Sequence, residues 1–194
     1  MNTKLSLLLS VCVLLLFATC EKTETFDTRW KDSNEAQFAK IEKDASYTKL
    51  ESQSMNGHIM YKEITKGEGT IKPTFEKTVK VLYTGWYKND WTKDDTYTDS
   101  DGNKITNKII FDSTNLEPNG TPKGNIIPRK FTLNDPQYPP VDGFVTALQH
   151  MHVGDKWEIW IPWKLGYGSF DDRRSGIKGY STLVFEIELV EILQ

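Results

Sequence analysis

Residues 139–168, with the sequence PPVDGFVTALQHMHVGDKWEIWIPWKLGYG, constrain the fold more than any other stretch of this chain. Their first half carries apolar residues at i, i+3, i+7 and i+10, which predicts one face of a short helix. These residues are Val141, Phe144, Leu148 and Met151. After a turn at residues 153–155, apolar side chains recur at every second position of residues 157–161, as in a half-buried strand. A short helix lying against a strand, in a chain rich in strand patterns, predicts an α+β fold. We expect a curled antiparallel sheet with one apolar face to wrap over this helix.

Alternating side chains predict strands in four further stretches, residues 59–64, 78–83, 131–133 and 182–192. Gly85 is expected to end the second of them. The last stretch is the clearest, because every second side chain from Leu183 to Leu189 is apolar. Glu186 and Glu188 lie on the opposite face, so this strand is predicted to cover the core with one side only.

Residues 89–107 are polar and acidic and lie between two predicted strands. We interpret them as a long hairpin or flap inserted into the domain. Asp99-Ser100-Asp101-Gly102 within them is a solvated turn rather than a calcium loop. An EF-hand would require acidic residues where Tyr97 and Lys108 stand.

Composition and charge narrow the functional classes. At 194 residues, with 38% hydrophobic and 26% charged residues, the chain is long enough for one main globular domain and an extension. The formal net charge is −3 and the basic residues are dispersed, which argues against a nucleic-acid partner. His150 and His152 stand two apart at the predicted helix end and point in different directions, so we predict no metal site.

The N-terminus has the pattern of an export signal. A short basic segment precedes an apolar run over residues 5–18, which is too short to span a membrane comfortably. Residues 17–20, FATC, resemble a bacterial lipobox, which implies a lipoprotein signal peptide over residues 1–19 and a lipid on Cys20. Cys12 would be removed with the signal, leaving one cysteine and no internal disulfide. An ordinary secretory peptide and an uncleaved anchor are the alternatives. The lipoprotein interpretation predicts a membrane-anchored protein of the bacterial envelope, on the periplasmic side or at the outer membrane.

A linker and a helix are predicted before the main domain. Residues 20–32 are polar and aperiodic, so we expect a flexible tether. Ser33 or Asn34 is the expected N-cap of a helical extension over residues 33–55. A loose apolar stripe on this helix has two interpretations, a homodimerisation or docking surface and a small helix packed on the edge of its own domain. The stripe consists of Ala36, Phe38, Ile41 and Ala45.

Six linked motifs resemble those of the FKBP-type peptidyl-prolyl isomerases in order and approximate spacing. They are TVKVLYTGWY, IIFDST, FTLN, VDGFVTALQHMHVGDKWEIWIP, LGYGS and STLVFEIELVEI. The resemblance covers residues 56–194 apart from the insertion at 89–107. It implies a five- or six-stranded antiparallel sheet curled around one short helix, the architecture that the residue pattern also predicts.

The resemblance implies the residues of the site as well. The family's catalytic positions fall on Tyr83, Phe111, Asp112, Phe144, Tyr167 and Phe185. Its substrate-binding positions fall on Phe131, Val141 and Ile177. Phe144 takes the pocket floor, where the best-known members have Trp, and a neighbouring wall aromatic of the family falls on Arg129. The family's usual Ile-Pro-Pro is here Ile177-Lys178-Gly179, which predicts a more mobile loop.

The function implied is cis-trans isomerisation of Xaa–Pro bonds in unfolded or exported polypeptides. Rotation about this bond faces a barrier of roughly 18–20 kcal/mol that is set by amide resonance. A pocket of aromatic rings that excludes water favours the twisted amide over the planar one, so the reaction needs no nucleophile, metal or cofactor. The alternative is a non-catalytic chaperone or peptide-binding lipoprotein that uses the same pocket.

Overall fold

The structure is a computed structural model that describes residues 26–193. The predicted signal peptide and Cys20 lie outside these residues. The elements in chain order are helix α1 (Phe26–Glu42), strands β1 (Thr48–Glu51), β2 (His58–Thr65), β3 (Thr78–Lys88), β4 (Thr96–Thr98), β5 (Lys104–Thr106), β6 (Lys108–Ser113) and β7 (Arg129–Thr132), helix α2 (Asp142–Leu148), strand β8 (Lys156–Ile161), a 3₁₀ turn (Trp163–Leu165) and strand β9 (Leu183–Leu193). Neither α-helix within residues 26–193 is long and apolar enough to cross a bilayer.

One antiparallel sheet organises the described chain. Its strand order is β1-β2-β8-β9-β3-β6, and β7 also pairs with β3. The sheet curls around α2, whose residues from Gly143 to Leu148 are all buried. The predicted α+β architecture is confirmed. The sheet has seven strands rather than five or six, because β1 adds to the outer edge of β2.

The close approach of α2 to the sheet depends on a glycine. A Cβ at Gly143 would lie 2.5 Å from Cγ2 of Ile161, a distance that real Cβ atoms do not show. The absence of a side chain there allows α2 to pack directly on β8. Phe144, the next residue, is thereby held at the centre of the main core with only 3% of its surface exposed.

Helix α1 lies on the opposite face of the sheet from α2. Phe38 and Ile41 pack there against Met60, Trp160 and Val184. Each of these strand residues neighbours a main-core residue in sequence, so its side chain points to the other face. The sheet thus covers Phe38 and Ile41 of the predicted stripe, whereas Ala36 is exposed and Ala45 lies beyond the end of α1. This arrangement favours a helix packed on its own domain over a dimerisation helix.

The predicted boundaries of the N-terminal segment are wrong. Helix α1 already begins at Phe26, so residues 26–32 are helical rather than a tether. Asn34, one of the two predicted N-caps, is instead fully buried inside the helix. Its Oδ1 atom accepts a hydrogen bond from the Thr182 N–H at 2.8 Å, a partner that local sequence does not reveal. Residues 48–51, predicted as helical extension, form β1 because the open edge of β2 supplies backbone partners.

Two further predictions about β3 and the insertion are resolved by the structure. Strand β3 continues through Gly85 to Lys88, with a change of register against β6 after Gly85. The insertion forms the predicted hairpin, in which β4 pairs with β5. Its base is fixed by the buried Asn107, whose side-chain amide donates to the carbonyls of Asp90 and Asp94, each at 2.8 Å.

Candidate active site

A cavity of about 400 Å³ opens between β3, β6, β7, the start of α2 and the loop at residues 166–182. Eight of the nine site residues predicted within the domain line it, and they converge from these separate parts of the chain. They are Tyr83, Phe111, Asp112, Phe131, Val141, Phe144, Tyr167 and Phe185. The structure therefore assembles nearly the whole predicted set in one cavity.

Tyr83 faces this cavity from the same side of β3 as the buried Val79 and Val81, at the point where β3 changes its pairing partner. One edge of β3 pairs with β7 over residues 78–81 and with β6 over residues 84–88. Tyr83 lies between the two pairings, and its N–H donates to Oγ1 of Thr114 at 2.8 Å. Its carbonyl accepts from the Thr114 N–H at 2.9 Å. The backbone is thus satisfied where the ladder is interrupted, and the ring is fixed in the cavity wall.

Phe144 forms the floor of the cavity. Its ring centroid lies 5.2 Å from those of Phe131 and Phe185 and 5.8 Å from that of Tyr83. The interplanar angles lie between 59° and 75°, so ring edges meet ring faces in the arrangement that aromatic pairs prefer. These four rings give the site an apolar surface on which a proline ring can pack.

Gly85 leaves space for Phe111 and Phe185 to meet and form one wall of the cavity. A Cβ at this position would lie 2.6 Å from Cε1 of Phe185 and 2.7 Å from Cζ of Phe111. The two phenyl rings occupy that space instead and meet edge to face, with centroids 5.4 Å apart. The glycine that was expected to end a strand therefore has a role in shaping the cavity.

Three polar side chains are connected by hydrogen bonds at one side of the cavity. The Tyr83 hydroxyl donates to Oδ2 of Asp112 at 2.5 Å. Nη1 of Arg129 lies 2.8 Å from the same carboxylate oxygen and 2.8 Å from the Tyr83 hydroxyl oxygen. Burial, reinforced by the hydrogen bond to Asp112 and its charge, raises the pKa of Tyr83 well above its ordinary value. The phenol therefore stays protonated, and the three groups form a fixed polar edge beside the aromatic floor.

Tyr167 lies at the mouth of the cavity on the loop after the 3₁₀ turn. Burial, with smaller contributions from the charges of Asp172 and Asp112, raises the pKa of its hydroxyl above the ordinary value. The Tyr167 residue is 37% exposed, so a bound peptide can contact it from the solvent side. A protonated phenol at this position is suited to donate a hydrogen bond to a substrate carbonyl.

Ile177 was predicted to bind substrate, and the structure does not support this prediction. Its side chain is fully buried in the main core and does not line the cavity. Its carbonyl accepts from the Asp172 N–H at 2.9 Å, which folds the loop back on itself at this point. The apolar side chain is thereby turned into the core rather than toward the cavity.

The structure adds residues that the sequence did not assign to the site. Tyr138, Asp172 and Arg174 line the rim, and the Arg174 guanidinium carbon lies 4.4 Å from the centroid of the Tyr138 ring. These residues belong to two irregular loops, where no periodic pattern marks which side chains turn inward. Among residues 26–193, no group of three or more His, Cys, Asp or Glu side chains converges as a metal site would require.

Comparison with known proteins identifies the family of this chain. The sequence model of the FKBP-type peptidyl-prolyl cis-trans isomerase family matches residues 69–190, more than half of the chain. An FKBP-type 22 kDa peptidyl-prolyl cis-trans isomerase of Escherichia coli is 34% identical over 144 residues, covering 72% of this chain and 52% of the relative. A macrophage infectivity potentiator of Trypanosoma cruzi is 27% identical over 134 residues, covering 69% and 53%. The chain thus spans about half the length of these curated relatives.

Solved structures share the fold. A peptidyl-prolyl cis-trans isomerase of Pseudomonas syringae pv. tomato superposes with a TM-score of 0.60 and 25% identity, covering 89% of this chain and 99% of that one. FkpA from Escherichia coli gives a TM-score of 0.55 with 21% identity, covering 99% and 73%, and this likeness concerns the fold alone. The chain belongs to the FKBP-type peptidyl-prolyl cis-trans isomerase family.

Proposed function

We propose that this protein catalyses cis-trans isomerisation of Xaa–Pro bonds in unfolded or exported polypeptides. The observation that carries the proposal is the aromatic floor around Phe144 beside the joined side chains of Tyr83, Asp112 and Arg129. An apolar floor with a fixed polar edge fits a proline ring and the two flanking carbonyls.

The geometry supports catalysis by a change of environment rather than by bond chemistry. The planar amide is the more dipolar form, so moving it from water onto apolar rings raises its free energy relative to the twisted transition state. The rings of Phe131, Phe144 and Phe185 hold the proline side chain in this setting. The Tyr167 hydroxyl orients a neighbouring carbonyl, and Asp112 fixes the Tyr83 and Arg129 side chains. No proton is transferred in this scheme.

A second candidate function is a peptide-binding chaperone without useful catalysis. The feature that favours it is apolar exposure near the cavity, where Tyr138 on the rim is 56% exposed and Phe170, in the loop after Tyr167, is 84% exposed. Such side chains are suited to bind an unfolded chain on either side of a proline.

The deciding experiment compares catalysed with spontaneous isomerisation of an Xaa–Pro peptide, using the full chain in mild detergent. We expect a measurable acceleration that favours an apolar residue before the proline. If the wild-type protein gives no acceleration and still suppresses aggregation of an unfolded client, the chaperone function replaces the isomerase.

We further propose that Cys20 carries a lipid that holds the domain at a membrane of the bacterial envelope. The lipobox-like FATC sequence supports this location. Because α1 begins at Phe26, five residues separate it from Cys20, and even fully extended they reach only about 20 Å. The domain would thus work close to the bilayer. Cys20→Ala should move the protein to the soluble fraction, whereas unchanged fractionation and an N-terminal peptide without lipid mass would refute the anchor.

A further inference from the structure

The loop at residues 166–182 forms one wall of the cavity and is held together by hydrogen bonds of both its backbone and its side chains. The Tyr180 N–H donates to the Gly168 carbonyl at 2.9 Å, which brings the two ends of the loop together. The Gly179 N–H donates to Oδ1 of Asp171 at 2.9 Å. The loop carries Tyr167, which directly precedes Gly168, and Asp172 and Arg174, which lie between the two ends, into the cavity lining.

The closing segment of this loop, residues 178–182, has little intrinsic rigidity. Its sequence KGYST contains no proline that would restrict the backbone, and Gly179 is the most flexible residue type. Tyr180 adopts a φ of 62°, in the left-handed region that residues with a side chain disfavour. A Cβ at Gly179 would lie 2.4 Å from the Ser169 carbonyl oxygen. The backbone of the closing segment therefore passes very close to the backbone at the start of the loop. Hydrogen bonds within the loop hold this conformation together with contacts from outside it.

Helix α1 supplies these contacts from one face. Asp27 Oδ1 lies 2.6 Å from the Lys178 ammonium, and the Trp30 indole N–H donates to the buried Gly179 carbonyl at 2.9 Å. The Lys31 ammonium lies 5.4 Å from the centroid of the Tyr180 ring, and Asn34 accepts from the Thr182 N–H. The four helix residues are spaced i, i+3, i+4 and i+7, which places them on one face of α1. This face contacts the closing segment almost residue by residue.

Trp30 also contacts the opposite wall of the cavity from behind. Its ring meets that of Tyr87 edge to face, with centroids 6.2 Å apart and an interplanar angle of 89°. Tyr87 in turn stacks on Phe111, which lines the cavity, with centroids 6.4 Å apart. Only 8% of the Trp30 surface is exposed. The Trp30 indole thus supports two walls of the cavity, the loop at residues 166–182 through Gly179 and strand β6 through Tyr87 and Phe111.

We propose that Trp30 is a positioning residue of the isomerase site, acting through the Gly179 carbonyl and the Tyr87 ring. The proposal rests on the proposed isomerase function. Loss of the indole N–H should free the closing segment, displace Tyr167 and weaken peptide binding, with little effect on the turnover of peptide already bound. The signature is therefore an increase in KM at nearly constant kcat.

The test uses Trp30→Phe in the full chain, since phenylalanine retains a ring and removes the N–H. Ile41→Val is the matched control, because Ile41 lies on the same helix but packs on the sheet cluster with Met60 and Trp160. We expect Trp30→Phe to raise KM about fivefold, the size of one lost hydrogen bond. Amide hydrogen exchange of Tyr180 and Gly179 should accelerate to a similar degree, and Ile41→Val should change neither quantity. Lys31→Ala is a second variant, expected to shift both readouts in the same direction by less.

The outcomes separate this proposal from the proposed function. If the wild-type protein shows no isomerase activity, the proposed function is wrong. Binding of a proline peptide and amide exchange then measure the positioning role of Trp30 directly. If Trp30→Phe lowers the melting temperature while KM, peptide affinity and exchange at residues 179–180 stay at the wild-type values, Trp30 is only structural and the proposal is wrong. An equal rise in KM for Ile41→Val would also overturn it, since the effect would then belong to helix stability in general.

Discussion

The Tyr83 hydroxyl donates a hydrogen bond to Oδ2 of Asp112, with the two oxygen atoms 2.5 Å apart, at the edge of an otherwise aromatic cavity. The same carboxylate oxygen accepts from Arg129 at 2.8 Å. The Asp112 carboxylate therefore accepts hydrogen bonds from both Tyr83 and Arg129 and holds these two side chains in place. Its removal leaves the Arg129 charge without its partner and the phenol without its acceptor.

Asp112→Ala should accordingly reduce kcat/KM by about tenfold, equivalent to about 1.4 kcal/mol of transition-state stabilisation. The fold should persist, because the Asp112 side chain is 43% exposed and its contacts lie at the cavity. The measurement is catalysed against spontaneous isomerisation, with Asp101→Ala in the exposed turn of the insertion as control. Wild-type activity in Asp112→Ala would show that the Tyr83 and Arg129 side chains hold their positions without it.

Gly85→Ala should damage the site more than its small size suggests. The new methyl group would lie within 2.7 Å of both Phe111 and Phe185 unless these rings move apart. We expect a loss of about 1–3 kcal/mol in unfolding free energy, the usual cost of overpacking, together with a clear loss of activity. Gly124→Ala is the control, since nothing lies within 4 Å of its Cβ position. Denaturant unfolding of the two variants gives the comparison, and equal stability would contradict the tight contact.

Phe144→Trp tests whether the cavity floor has room for the larger ring found in the best-known family members. Three aromatic rings surround Phe144 at centroid distances of 5.2–5.8 Å, so the indole has to displace at least one of them. We expect a loss of about 1–3 kcal/mol in stability and no gain in turnover. The check is thermal unfolding combined with the peptide assay. Higher turnover at unchanged stability would mean that the extra ring extends into the open cavity.

The insertion at residues 89–107 should divide into a dispensable tip and a structural base. Replacing residues 96–106 by an Asn-Gly turn should leave the melting temperature nearly unchanged, because the Asn107 N–H already lies 2.8 Å from the Asp95 carbonyl oxygen. Trp91→Ala should cost about 1–3 kcal/mol. Trp91 packs on Trp160 and donates to the buried Asn34, so the base is part of the α1 packing. A large loss of stability on tip removal would assign the hairpin to the core.

The ratio of catalysed to spontaneous rate should not change between about pH 6 and pH 9. Burial raises the pKa of both Tyr83 and Tyr167 above the ordinary value of 10.0, so both phenols stay protonated in this range. Because both pKa values are raised in the folded state, the tyrosines ionise first in the unfolded chain. The free energy of unfolding is therefore unaffected by them below about pH 10 and falls as the pH rises further. Rates measured against the spontaneous reaction at each pH give the profile. A bell-shaped curve centred near neutrality would indicate acid–base catalysis instead.

The sequence by itself determined the architecture and most of the cavity. Alternation over residues 183–189 and the helical spacing from Val141 to Met151 follow from burial on one face, which is a local property of the chain. The ordered motifs then assigned eight residues that the structure brings together in one cavity. Local periodicity was sufficient for the strands and α2, because each depends on residues that are close in sequence. The cavity residues are spread over residues 83–185, and the resemblance of the ordered motifs to the family assigned them.

Tertiary structure alone decided the role of the N-terminal helix and the inward turn of the loop. Trp30 and Gly179 are separated by 149 residues, and no periodicity in a polar segment indicates that an indole there will meet a distant carbonyl. For the same reason Asn34 resembled an N-cap and is a buried hydrogen-bonding residue of α1. Ile177 matched a substrate-binding position, but a backbone hydrogen bond to Asp172 turns it into the core. Long-range hydrogen bonds and irregular loops fix these side chains, and neither has a repeating signature in sequence.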